Sequence, residues 1–182
     1  MIVFDASTLI LLAKAELLDL FLDHYPAGAV IPPAVESECV VSSARLDTIL
    51  IRERIRQRRI TVDSVQAPVV VHRLITDFHL GHGEAEAIAL ALEKQAHLIA
   101  TDDRNAIRAC KLLRLKFTTA IGMLIYMREK GIIRADEALR YLDGLARYGR
   151  YHRVILDDAR RRLGEKSDDQ ASENITYPCR RG

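Results

Sequence analysis

The residues of this sequence that could do chemistry are acids placed where apolar segments begin or end. Asp5 closes the apolar run that opens the chain, and Asp102 and Asp103 close another, Leu98–Thr101. Glu84 opens an apolar helical pattern, and Glu36 and Glu38 follow the pair Pro32-Pro33. Each acid has a plain role available. Asp5, Asp102 or Asp103 can cap a helix, Glu84 suits the positive end of a helix dipole, and Glu36 and Glu38 can be solvated. Brought within a few ångströms of one another, however, carboxylates repel and call for a cation or shared protons. A hard divalent ion takes oxygen ligands, and Mg²⁺ combines a few carboxylates with waters and substrate phosphates.

Whether the acids meet depends on the elements that carry them. Met1–Asp5, Ala29–Ile31, Ile60–Val65, Leu98–Thr101 and Leu115–Thr118 read as short strands. Between and after them lie helical patterns at Ser7–His24, from Pro32-Pro33 onward, and at Ala44–Arg59, Glu84–Gln95, Asn105–Leu113, Ile121–Lys130 and Ala135–Gly164. Prolines are tolerated in a first helical turn, where their missing N–H groups do no harm. Strands separated by helices imply parallel pairing, so the expected fold is a three-layer α/β/α sandwich on a parallel, five-stranded sheet. The carboxyl ends of parallel strands share one edge, where ligands bind, and Asp5 and Asp102 should meet there. Residues 1–164 read as one domain, and residues 165–182 as a polar, flexible tail.

Several segments carry a resemblance. "IVFDAST" resembles the opening strand of PIN domains, and "IPPAVESECV" the second motif of that family. "GEAEAIALALEKQAHLIATDD" is similar to the third and fourth motifs together, and "GLARYGRYHRVILDDARRRLGE" to the closing helices of a VapC-like subgroup. The resemblance implies catalytic acids at Asp5, Glu38, Glu84 and Asp102, with Asp103 as a further metal ligand and Ser7 as a supporting hydroxyl. Glu36 and Glu86 are the alternatives to Glu38 and Glu84, since helix residues two apart face different ways. The third acid is glutamate where aspartate is commoner in the family, and Asn105 replaces a further acid often seen downstream. What the resemblance implies is an Mg²⁺- or Mn²⁺-dependent ribonuclease, the toxin of a toxin–antitoxin pair, homodimeric and silenced by a small antitoxin protein.

Composition narrows the alternatives. With 49% hydrophobic and 29% charged residues, the chain is expected to fold rather than to be disordered. Cys39, Cys110 and Cys179 form no CxxC pair or zinc spacing and suit reduced thiols in a cytoplasmic protein. The sequence reads as having no signal peptide and no apolar run long enough for a bilayer. It contains no HExxH, GxSxG or Walker A motif, and Gly81-His82-Gly83 lacks the context of a dinucleotide fingerprint. A dehalogenase-like phosphatase with Asp5 as nucleophile wants an aspartate two residues on, where Ser7 stands. A non-cleaving RNA- or protein-binding module is the rival from another class. The net charge of +2 decides nothing by itself, but arginines cluster at Arg52–Arg59 and again from Arg147 to Arg162. Arg56, Arg58, Arg59 and Arg150 are therefore candidate phosphate contacts, with Tyr148 and Tyr151 as the candidates for base stacking.

Overall fold

The computed structural model describes residues 1–40 and 45–164. Five short strands form one parallel sheet: β1 Ile2–Phe4, β2 Ala29–Ile31, β3 Ile60–Val62, β4 Leu98–Ala100 and β5 Phe117–Thr118. Their order is β3-β2-β1-β4-β5, with Phe4 opposite Ala100 where the two central strands pair. β1, β2 and β4 are buried at every position, which is why they read as unbroken apolar runs.

Among the described residues ten helices cover the sheet. The helices α1 Ala6–Lys14, α2 Leu18–His24, α3 Pro33–Val40 and α4 Leu46–Arg56 precede β3. After it come α5 Pro68–Phe78, α6 His82–Glu93 and, beyond β4, α7 Arg104–Leu112. The last described residues form three helices, α8 Ala120–Glu129, α9 Ala135–Tyr148 and α10 Arg153–Gly164. α1, α4, α8 and α9 pack together on one face, while α5, α6 and α7 pack together on the other. The three layers follow from right-handed crossovers: the chain first moves outward from β1 to β3, then returns across the opposite face to β4.

Three helical segments differ from the reading of the sequence. Ser7–His24 is two helices, because Glu16 adopts the left-handed conformation and the Leu17 amide closes on Leu12 O at 2.9 Å. Ala135–Gly164 is also two, broken at Gly149, whose backbone is extended. α5 was not expected at all. Its triple valine, Val69–Val71, masks an amphipathic helix that starts on Pro68 and buries Val71 and Leu74. β3 ends at Val62 rather than at residue 65. The tail at 165–182 lies outside the described residues.

Candidate active site

The strand order reverses direction between β1 and β4, so a crevice opens at their carboxyl ends. Asp5 stands on one side of it and Thr101-Asp102-Asp103 on the other. The Asp5 amide continues the ladder to Ala100 O at 3.0 Å, which places Thr101 beside it. Asp5 is 1% exposed and doubles as the N-cap of α1. Its Oδ1 accepts from the Thr8 amide at 2.8 Å and its Oδ2 from Thr101 Oγ1 at 2.5 Å. Ser7 Oγ lies 3.1 and 3.0 Å from the two oxygens. Burial pushes the Asp5 carboxyl up to about 6, against those hydrogen bonds and with the Asp102 charge adding to the rise. The site thus confines a carboxylate that would be happier neutral or beside a cation.

Glu84 reaches the same edge because α6 leads into β4 and therefore runs antiparallel to the strands. It sits in the first turn and accepts from the Gly81 amide at 2.8 Å. Burial raises its carboxyl, and the charges of Asp103 and Glu38 raise it further. Glu38, on α3, lies directly over Gly83, where a Cβ would collide with Oε1. Glycine at 83 is what lets α3 and α6 bring these two acids together. The buried thiol of Cys39 is pushed up to about 12 by burial, with the charges of Glu38, Asp5 and Asp47 adding to the rise, and is therefore inert.

The two adjacent aspartates divide their duties. Asp103 caps α7, using only Oδ1 to accept from the Asn105 and Ala106 amides at 2.7 and 2.9 Å, and its charge is felt by Glu84. Asp102 faces inward. Thr8 Oγ1 and the Ala120 amide donate to its Oδ2, both at 2.9 Å, and the Tyr151 hydroxyl donates to Oδ1 at 2.7 Å. Glu86 is also committed elsewhere, capping α3 at the Ala34 amide at 3.0 Å with His82 on its other oxygen at 3.2 Å. The acids thus share the carboxyl edge in two coupled groups: Asp5 feels the charge of Asp102, and Glu84 the charges of Asp103 and Glu38. The residues that hold this arrangement, Thr8, Thr101 and Tyr151, carry no charge; the two threonines escaped the reading of the sequence, and Tyr151 entered it only as a candidate for base stacking. A threonine directly before the paired aspartates, and another three residues after Asp5, were the signals available.

The donors fit a hard divalent cation in kind: all are carboxylate oxygens, and their mutual charge already costs the folded protein. They do not yet form a closed ligand set, since among the described residues no three acids, histidines or cysteines stand close enough to grip an ion. Glu84 would leave Gly81, and Ser7 would turn from Asp5, for the carboxylates to converge.

Three of the predicted phosphate contacts, Arg56, Arg58 and Arg59, lie far from this crevice. Arg58 and Arg59 immediately precede β3 and so occupy the opposite, amino edge of the sheet. Arg59 is paired with Asp19 and Asp23, and Arg56 with Glu53 at 2.7 Å. Arg150 lies near the crevice, one residue from Tyr151, and is exposed. Of the two tyrosines, Tyr151 is spent on Asp102, and Tyr148 is 48% exposed.

Among the described residues no helix is long and apolar enough to cross a membrane. No curated protein and no solved structure shows significant similarity to the chain. The DUF3368 family model, described as a PIN domain, matches residues 1–165. With its acids gathered at the switch point of a five-stranded parallel sheet, the chain belongs to the PIN-domain family, whose members are of nuclease type.

Proposed function

We propose that this protein is a cytoplasmic ribonuclease that hydrolyses RNA phosphodiester bonds with Mg²⁺ or Mn²⁺. The observation that carries the reading is the set of acids from β1, α3, α6 and the β4–α7 junction at one crevice. Two of them are driven upward in pKa, Asp5 chiefly by burial and Glu84 by burial and by its acidic neighbours. A binding-only surface for an anionic ligand would gain by losing these charges. Asp5, Glu38, Glu84 and Asp103 are the proposed ligands, with Asp103 in the place that the resemblance gave to Asp102. A bound divalent ion would supply Lewis acidity to the phosphate and lower the pKa of a water. Thr8 and Thr101 fix the Asp5 carboxylate, and Ser7 is the exposed hydroxyl able to turn between Asp5 and a substrate oxygen. Glu84, with its carboxyl raised, is the acid best suited to exchange a proton with an attacking water or the leaving oxygen.

A phosphatase using Asp5 as nucleophile is disfavoured, because Ser7 stands where that chemistry wants a second aspartate. The non-cleaving module draws support from the open spacing of the acids, and one assay separates it from the nuclease. Purified protein should cleave a single-stranded RNA with Mn²⁺ and stop with EDTA, and Asp5→Asn or Asp103→Asn should abolish cleavage with the fold intact. Wild-type turnover by either variant would remove the assignment.

The toxin role is proposed on the VapC-like resemblance: a homodimer silenced by a small antitoxin that covers the acidic crevice. Growth arrest on expression, relieved by Asp5→Asn, tests it.

A further inference from the structure

Asp102 stands close enough to Asp5 to raise its carboxyl, and both of its own oxygens accept hydrogen bonds. Its three donors come from separate parts of the chain: Thr8 on α1, the first amide of α8, and Tyr151 in the turn between α9 and α10. Tyr151 is the one supplied from outside the sheet-and-helix core of the site. Its ring fills the space that a side chain at position 149 would need, since a Cβ on Gly149 would overlap it, 2.9 Å from Cδ2. Gly149 has an ordinary φ of −93°, so it is space that requires the glycine: the ring, and the Leu145 carbonyl 3.0 Å from the same Cβ. Burial, with the Asp102 charge and hydrogen bond, holds the Tyr151 phenol well above its usual range, so the hydroxyl remains a donor.

The bond matters to the crevice through Thr8. One threonine spans both aspartates, its hydroxyl on Asp102 at 2.9 Å and its amide on Asp5 at 2.8 Å. With donors on both oxygens the Asp102 carboxylate is locked. Without the phenol, Oδ1 loses the donor it has among the described residues, and a poorly solvated carboxylate oxygen is costly to leave bare. Rotation toward the crevice relieves that cost, where Asp102 would add a fifth negative charge and release Thr8.

We propose that Tyr151 is a positioning residue, whose hydroxyl keeps Asp102 turned inward and thereby holds Thr8 and the Asp5 carboxylate in place for the cation. The proposal rests on the reading of the acids as cation ligands. It assigns the closing helical hairpin a part in the site that its distance in sequence conceals.

Wild type, Tyr151→Phe and Gly149→Ala are to be compared by calorimetric titration with MnCl₂ and by steady-state cleavage of a single-stranded RNA oligonucleotide. Tyr151→Phe keeps the ring, so its melting temperature should fall by only a few degrees. Its Mn²⁺ affinity and kcat should drop by roughly ten- to a hundredfold, as for residues that orient metal ligands, with KM for RNA unchanged. Gly149→Ala, which displaces the ring and leaves the phenol intact, should share the defect, and should it fail to fold, Tyr151→Phe decides alone. A phenylalanine variant with wild-type Mn²⁺ affinity and kcat would overturn the positioning role and leave the ligand reading standing. A wild-type protein that takes up no Mn²⁺ would overturn both.

Discussion

Asp5 shows how a single side chain can be at once structural and poised. It caps α1, bonds across to β4 and is almost wholly buried, and burial pushes its carboxyl from the ordinary 3.8 up to about 6. A folded-state value above the unfolded one means that the native protein binds this proton more tightly. The stability Asp5 contributes is therefore complete below about 3.8 and is lost as pH rises to about 6. Above that, the ionised group costs the cation-free protein at most about 3 kcal/mol. Asp5→Asn in EDTA should be more stable than wild type at pH 7 and no more stable at pH 4, since the surrounding hydroxyls can turn to suit an amide. Urea titrations at the two pH values check this, and a variant weaker at pH 7 would show the hydrogen bonds outweighing the charge. Asp102→Asn should respond in the same direction, since burial raises that carboxyl too. The amide oxygen can take the place of Oδ2 beneath Thr8 and Ala120, while its nitrogen faces the Tyr151 hydroxyl, which turns to accept. The sequence marks both residues as acids at strand ends. The donors that fix each carboxylate belong to Thr8, Thr101, Ala120 and Tyr151.

At the scale of elements, the helices stop without the residues that usually announce a stop. α1, α4, α6 and α7 each close with an amide reaching back five residues: Leu17 to Leu12, Arg59 to Arg54, Ala96 to Ala91 and Leu115 to Cys110. That closure requires a left-handed residue, normally glycine, and here the position is held by Glu16, Arg58, Gln95 and Arg114. α8 uses Gly131 for the same turn. This is why the end of α1 was invisible in the sequence, and why the pattern ran on through Glu16 to His24. The existence of the helices was legible from apolar spacing, whereas a helix opening on Pro68 was hidden by β-branched valines. The left-handed residues carry a cost that glycine would relieve. Gln95 is exposed and its side chain makes no hydrogen bond among the described residues, so Gln95→Gly should raise stability by about 0.5–1 kcal/mol. Thermal melting that falls instead would mean the Gln95 side chain does more than cover the turn.

The whole molecule has two edges of opposite character, and the sheet keeps them apart. At the carboxyl edge lie the acids, with Arg104 and Arg108 exposed on the helix that Asp103 caps and free of ion pairs among the described residues. At the amino edge, Arg54, Arg56 and Arg59 are paired with Asp19, Asp23 and Glu53. An RNA strand drawn across the crevice should therefore meet the α7 arginines and Arg150. Replacing Arg104 and Arg108 together by alanine should weaken RNA binding and flatten its salt dependence by up to about two counterions' worth of slope, while Arg58→Ala leaves both unchanged. A salt titration giving the reverse order would return the RNA to the amino edge. The sequence by itself determined that there is a parallel α/β sheet with acids at the ends of two strands, because buried strands and helix faces impose local periodicities that one chain displays. It could not tell how each of two neighbouring aspartates is hydrogen-bonded, or which arginines are already neutralised. Those depend on partners 36 to 94 residues away, such as Tyr151 and Thr8 on Asp102, and Asp19 and Asp23 on Arg59. Charge and periodicity are properties of a residue and its near neighbours, while the direction a side chain points is set by whichever distant donor the fold delivers to it.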